Sequence, residues 1–276
     1  YIGVLHFGFV DGIYLKYGGH EFDEIDKKGL LLNLSTLRIF QFFISIIFIA
    51  LSLIYNDKIL FAFSLSIISL NVISYFKMLY QAVGEFNKYS KLTNLSTILT
   101  FIGNMSLLFI INTDNYFIYL LLYSCINLLI WISLEIYFIK YCNDSYKILS
   151  FSYKELKDNI KSGFSLMCGN FASFFLTGLD RWFVKIFENT LSFARYSFAV
   201  SIENMLNVVV TSITVPLYNY FCKSKDLKKI QYIYQCITIL SLFLVSFAFP
   251  IKIVLHYFLP NYYQSYIIIF ILLSVI

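Results

Sequence analysis

The sequence predicts an all-α integral membrane protein, a polytopic helical bundle, on the basis of three observations. Of its 276 residues, 59% are hydrophobic and only 13% are charged, whereas soluble domains have about 25% charged residues. Apolar segments recur at a spacing of roughly 30 residues, and most approach the length of about 20 residues that crosses a bilayer. Basic residues are concentrated in alternate loops, which is typical of multi-pass proteins.

The apolar segments predict about nine transmembrane spans. Residues 1–15 are interpreted as the last turns of a helix whose beginning is missing, and eight longer segments follow. The predicted spans are 1–15, 30–55, 59–76, 92–112, 116–139, 163–180, 196–221, 230–250 and 261–276. The short loops 56–58 and 113–115 are barely turns, so we expect no folded catalytic domain on their side of the membrane.

The distribution of positive charge supports this count independently of hydropathy. Fifteen of the 21 Lys and Arg residues fall in loops of one parity, five fall in loops of the other, and Arg38 lies within a span. The positive-inside rule places the first set of loops in the cytoplasm. A missed or added helix would scramble this bias.

The loop 144–161 predicts a short amphipathic helix on the inner leaflet. Its apolar residues follow a spacing of three or four with lysines on the other face, and Ser152 and Glu155 fit a capping box. A soluble helical turn is the alternative interpretation. The segment predicts a division into an N-terminal bundle 1–143, the linker 144–161 and a C-terminal bundle 162–276.

Polar residues recur at spacings of three and four within most spans, so that each set lies on one side of its helix. The strongest pattern lies in 163–221, where two apolar runs flank a turn predicted to open at Asp180-Arg181. Polar groups are costly in lipid, so these faces must turn toward other helices or toward water. Interhelical hydrogen bonds would explain any single set. Six sets, three with an ionisable group, favour a shared hydrated cavity.

Ten residues are predicted to line this cavity and to contact its cargo. They are Arg38, Gln41, Asn71, Lys77, Asn170, Thr177, Asp180, Arg181, Glu203 and Asn204. Arg38 is the most informative, because an arginine at the centre of a span costs about 2.5–3.5 kcal/mol. It either snorkels to the cytosolic headgroups or presents a guanidinium to a phosphate. Asp180 and Arg181 form either a local ion pair or cap, or a second contact for an anion.

The sequence carries no sign of bond-making chemistry. The three histidines stand apart, and the five cysteines are scattered without a Cys-x-x-Cys pair. We find no Walker A motif, no paired carboxylates and no nucleophile elbow. We therefore expect no enzymatic activity, no cofactor, no metal site and no nucleic-acid partner.

Three stretches resemble one family. FGFVDGIYLKYGGHEFDEIDKK is similar to the loop after the second helix of bacterial polysaccharide-unit flippases (Wzx type), in the multidrug/oligosaccharidyl-lipid/polysaccharide exporter superfamily. GLDRWFVKIF, followed by ARYSFAVSIENMLNVVV, resembles their seventh and eighth helices. FLPNYYQSYIIIFILLS resembles the beginning of a later helix. The order and spacing of these stretches carry the resemblance, which covers most of the chain.

The resemblance implies two six-helix bundles around a central cavity that opens alternately to each side, with about twelve or more spans in a complete chain. It implies a flippase of the bacterial cytoplasmic membrane whose cargo is a polyprenyl-pyrophosphate-linked oligosaccharide, the repeat unit of an O-antigen of lipopolysaccharide, a capsule or a related glycan. Its partners would be the lipid bilayer, a polysaccharide polymerase and the chain-length machinery. Two alternatives stay open: a multidrug or small-solute antiporter of the same fold, and a membrane polysaccharide polymerase or glycosyltransferase.

Overall fold

The computed structural model describes residues 2–113, 115–142, 150–223 and 227–273, and helices are the only regular elements in these ranges. This confirms the all-α class. The helices α1 to α10 are, in order, Phe9–Tyr17, Lys27–Tyr55, Lys58–Val83, Phe86–Ser106, Tyr116–Cys142, Tyr153–Phe187, Thr190–Lys223, Leu227–Ser246, Ala248–Phe258 and Tyr266–Leu273. The shorter pieces are the 3-10 helices Ile2–His6, Phe22–Glu24 and Pro260–Ser265 and the π-helical turn Leu107–Ile111.

Five helical stretches in the described ranges are long and apolar enough to cross a membrane, which indicates a multi-pass membrane protein. They are Lys27–Tyr55, Lys58–Val83, Phe86–Ile111, Tyr116–Cys142 and Gln231–Phe258. Four of them overlap the predicted spans 30–55, 59–76, 92–112 and 116–139, and the fifth covers all but the first residue of 230–250. The count of nine spans and the central cavity stay predictions.

Asparagine and aspartate side chains set the ends of the first long helices. The Asp26 carboxylate caps α2, accepting hydrogen bonds from the backbone N–H groups of Lys28 and Gly29 at 3.0 and 3.1 Å. The same helix ends at Asn56, which adopts the left-handed conformation with φ 49°. Asp57 follows at once as the N-cap of α3, so two residues reverse the chain.

The chain forms two compact units, Tyr1–Gly169 and Asn170–Ile276. The boundary between the two units falls inside α6. The predicted division into the bundle 1–143, the linker 144–161 and the bundle 162–276 stays a prediction. Residues 144–149 of the predicted linker lie outside the described ranges. The rest of it belongs to the first unit.

Helix α6 is continuous where the sequence predicted a linker helix, a span and a turn. It begins at Tyr153, and the Glu155 N–H donates to the Ser152 hydroxyl at 3.3 Å, which is one half of the predicted capping box. The predicted turn at Asp180-Arg181 is helical instead. The turn lies at Glu188-Asn189, because the Asn189 side chain accepts from Ser192 N–H at 2.8 Å and starts the next helix.

The first unit is built around α3. This helix packs against α1, α2, α4 and α5, and 56% of its most apolar window is buried, compared with 6% for α4. Its inner face carries Tyr75, Phe76 and Leu79, all fully buried. The Tyr75 hydroxyl donates to the Leu30 carbonyl at 3.1 Å and so ties α3 to α2.

Glycines allow α1 and the first part of α6 to touch backbone to backbone. Residues 1–15, predicted as the end of one helix, instead break at Gly8 (φ 85°) between a 3-10 helix and α1. A Cβ on Gly12 would lie 2.1 Å from the Asn159 carbonyl oxygen, and one on Gly163 would lie 2.1 Å from the Gly8 carbonyl oxygen. Gly8 and Gly12 form a Gly-x-x-x-Gly pair, a pattern that lets membrane helices approach closely.

The second unit has a smaller core, contributed by α7, α9 and α10. Its fully buried members are Ala199, Ala248, Leu255, Ile269 and Leu273. The rings of Phe198 and Tyr262 pack against this cluster with their centroids 4.6 Å apart.

Candidate functional site

The ten predicted cavity residues divide between the two units. The first unit holds Arg38 and Gln41 on α2 and Asn71 and Lys77 on α3. The second unit holds the remaining six, on α6 and α7: Asn170, Thr177, Asp180, Arg181, Glu203 and Asn204.

Gln41 and Asn71 form a buried amide pair between α2 and α3. Both side chains are fully buried, and the Asn71 Nδ2 donates to Gln41 Oε1 at 2.8 Å. Gln41 Nε2 in turn donates to the Leu5 carbonyl oxygen at 3.1 Å. Asn71 Oδ1 is buried and has no hydrogen-bond partner. The pair therefore holds one buried acceptor whose hydrogen-bonding capacity is unused, which is costly in a dry interior.

Arg38 forms an ion pair with Glu135 of α5. Its Nη1 donates to Glu135 Oε1, and the two side chains are only 17% and 11% exposed. Arg38 thus points into the first unit and does not extend toward the lipid headgroups, as the snorkelling alternative would require. Glu135 compensates the buried charge of the guanidinium.

Serines extend this polar interior along the same helices. Ser45 donates to the Ser64 carbonyl oxygen at 2.8 Å, which links α2 to α3. The hydroxyls of Ser66 and Ser124 lie 2.6 Å apart and link α3 to α5. In the first unit these sets serve helix packing, the alternative open from the sequence. That Gln41 and Asn71 also contact a cargo stays a prediction.

Lys77 and Lys16 differ in their surroundings. Lys77 is half-buried near the C-terminal end of α3. Lys16, at the end of α1, forms a salt bridge of 2.9 Å with Glu155 of α6. Burial lowers the pKa of Lys16, but the hydrogen bond to Glu155 and the charges of Tyr17 and Glu155 outweigh it and raise that pKa above its ordinary value.

In the second unit, Asp180 connects α6 to α7. Its carboxylate accepts hydrogen bonds from the Tyr196 hydroxyl and from the Arg181 backbone N–H. Arg181 is half-buried, and its Nε is enclosed without a hydrogen-bond partner. Asp180 is thus held by a tyrosine rather than by a side-chain ion pair to its neighbour.

The other predicted residues of the second unit are less enclosed. Glu203 accepts a hydrogen bond from Asn207 at 3.3 Å, one turn along α7. Asn170 and Asn204 are exposed. Thr177 belongs to α6, and the placement of its side chain lies outside what the structure describes.

Three functional candidates were missing from the ten predicted residues. Glu135 is a carboxylate inside an apolar run, which the sequence signalled, but its partner lies 97 residues away. Asn33 and Asn159 are buried and joined by a hydrogen bond of 3.0 Å between their side chains, and Asn33 also donates to the Tyr17 hydroxyl at 3.3 Å. Nothing in the spacing of these residues marked them as partners.

The described residues offer no candidate metal site, and comparison with known proteins gives no match. Among the described residues, no group of three or more His, Cys, Asp or Glu side chains could hold a metal ion. No protein-family model matches the chain, and neither does any curated protein or solved structure.

Proposed function

We propose that this chain is a flippase that moves a lipid-pyrophosphate-linked oligosaccharide across the bacterial cytoplasmic membrane by alternating access. The observation that carries the proposal is the polar interior of helices that are otherwise apolar. In α2, α3 and α5 an ion pair, Arg38–Glu135, and an amide pair, Gln41–Asn71, lie buried among membrane-length helices.

Helix packing accounts for the serines and the amide pair, but it does not require a buried ion pair. A buried ion pair contributes little net stability, since desolvation offsets the attraction between its members. Intramembrane ionisable residues mark pathways for substrates and ions. The interior therefore supports transport better than a purely structural role, and the resemblance of three stretches to polysaccharide-unit flippases points to the cargo.

The cargo chemistry fits the available groups. A pyrophosphate would be held by guanidinium and ammonium groups, for which Arg38, Lys77 and Arg181 are the candidates. Sugar hydroxyls would donate to acceptors such as Asn71 Oδ1, whose capacity is unused. We propose that nine spans of this chain, with the remaining spans of a complete protein, surround a central cavity where these groups meet the cargo.

The antiporter alternative has less support. Export of organic cations usually needs a carboxylate free to bind them, whereas the buried Glu135 of the first unit already pairs with Arg38. A polymerase would need catalytic groups on a sizeable outer loop, and the predicted outer loops are short.

The test separates the cargo role of Arg38 from its pairing role. The full chain and its variants are expressed in cells that lack the native copy, and oligosaccharide exposed on the outer leaflet of spheroplasts is measured. Both Arg38→Gln and the double variant Arg38→Gln/Glu135→Gln should reduce translocation about tenfold or more, the worth of a charge-assisted hydrogen bond. Lys58→Gln, which removes an exposed cation, is the control and should transport normally.

Two outcomes contradict the proposal. If the double variant translocates like the wild type, Arg38 serves only to neutralise Glu135. If loss of the whole chain leaves surface glycan intact but sensitises cells to toxic organic cations, the antiporter alternative replaces the flippase.

A further inference from the structure

A groove between α4 and α5 of the first unit has a cationic end and an apolar end. Its volume is about 420 Å³. Lys88 and Lys91 of α4, with Tyr137 of α5, line one end. Leu92 and Leu95 continue the wall on α4, and Ile130 and Leu134 face them from α5.

The basic and apolar ends of the groove are arranged along its length, as the two parts of an amphiphile are. Leu95 follows Lys88 by seven positions on α4, and Tyr137 follows Ile130 by seven positions on α5. At a rise of 1.5 Å per residue this is about 10 Å. The turn between Ile111 and Tyr116 is short, so the two helices run antiparallel and both apolar segments fall at the same end of the groove.

The basic end is held in place. Lys88 Nζ lies 3.6 Å from Glu85 Oε1 and 4.6 Å from the centroid of the Phe22 ring. It also lies 5.6 Å from the centroid of Tyr141. These contacts fix the ammonium at the groove mouth, and Lys91 is exposed beside it. Glu85 offsets one positive charge, so the mouth keeps a net positive charge.

We propose that this groove binds an anionic phospholipid of the cytoplasmic leaflet, with the phosphate at Lys88 and Lys91 and one acyl chain along Leu92, Leu95 and Leu134. We choose an anionic lipid because its charge is complementary to that of the two lysines, and basic pockets between membrane helices on the cytoplasmic side bind anionic headgroups. Both lysines lie in the first turns of α4, before the predicted span 92–112, and belong to the set that the positive-inside rule assigns to the cytoplasm.

The surroundings of α4 favour a lipid over other occupants. Only 6% of its apolar window is buried, and Leu95, Ile98 and Phe101 are about half exposed or more. A free phosphate would use the lysines and leave the apolar wall empty.

The experiment measures binding of phosphatidylglycerol and phosphatidylcholine to the purified full chain by native mass spectrometry. Phosphatidylglycerol should bind more tightly, and Lys88→Gln/Lys91→Gln should weaken it by roughly 30-fold, from the attraction of two lysines to an anionic surface. The control Lys58→Gln/Lys185→Gln removes the same charge from exposed positions that the positive-inside rule assigns to the outer side, and it should bind like the wild type.

A second pair of variants tests the apolar wall. Leu95→Trp fills the groove and should weaken binding of the lipid, whereas Ile98→Trp, on the same helix outside the groove, should not. The proposal is overturned if both lysine pairs weaken binding equally, if the two lipids bind alike, or if millimolar inorganic phosphate displaces phosphatidylglycerol. A cross-linked dimer that buries Leu95 would assign the groove to a second copy instead.

Discussion

Replacing Gly163 by alanine should separate α1 from α6. The new Cβ would lie 2.1 Å from the Gly8 carbonyl oxygen and 2.2 Å from the Gly12 nitrogen, both of them backbone atoms. Ordinary contact begins at 3.4 Å, so the helices must move apart by about 1.3 Å. Overpacking costs about 1–3 kcal/mol. The shift also strains the Asn33–Asn159 hydrogen bond, worth about 0.6 kcal/mol in membranes.

The expected loss is therefore about 2–4 kcal/mol, or roughly thirtyfold or more in the unfolding constant. Titration of the detergent-solubilised chain with SDS, followed by tryptophan fluorescence, measures it. Gly169→Ala is the matched control, because it lies on the same helix with nothing within 4 Å of its added Cβ. That variant should gain up to about 1 kcal/mol from helix propensity. Equal behaviour of the two variants would refute the backbone contact.

Three further predictions concern polar groups of the first unit, each measured by the same unfolding titration. Glu135→Gln should cost about 3–5 kcal/mol because it leaves the buried Arg38 guanidinium without its carboxylate, and adding Arg38→Gln should recover most of that loss; no recovery would mean that the pair is not coupled. Gln41→Leu should cost about 1–3 kcal/mol by depriving Asn71 of its acceptor, whereas Gln41→Leu/Asn71→Leu should be nearly neutral; a double variant as unstable as the single would contradict the amide pair. Asp57→Ala should cost about 1 kcal/mol through loss of the α3 cap, and an unchanged midpoint would show that the cap does not hold the helix.

The class of the protein and the positions of its first long helices could be predicted from the sequence. Burial in lipid demands unbroken apolar stretches, and such stretches need no tertiary contacts to be recognised. The short reversal at Asn56-Asp57 was readable for the same reason, since its residues are strong local signals for helix ends.

The prediction of a turn at Asp180-Arg181 was wrong, because charged residues alone do not end a helix. Two charged residues within α6 can stay helical when a partner such as the Tyr196 hydroxyl donates a hydrogen bond to the Asp180 carboxylate, and the capping residue Asn189 lies about two turns later. Gly8 and Gly12 form a Gly-x-x-x-Gly pattern that can be recognised in the sequence. That Gly163 packs against them could be learned only from the structure, in which α1 and α6 cross at this point. Pairing across the fold is a tertiary property that residue spacing does not encode.

The ion pair between Arg38 and Glu135 bears on how the first unit would bind an anionic cargo, because the guanidinium already has an anionic partner. A lone buried guanidinium would be expensive in every state, whereas one that exchanges a carboxylate for a phosphate has an anionic partner in both. If the proposed flippase function is correct, Glu135 would hold the place of the pyrophosphate in this conformation and would yield it to the cargo. An apolar pair of similar size would pack these helices about as well, so the proposed exchange would give the charges a role that packing does not. Normal translocation by Arg38→Gln/Glu135→Gln would rule this exchange out.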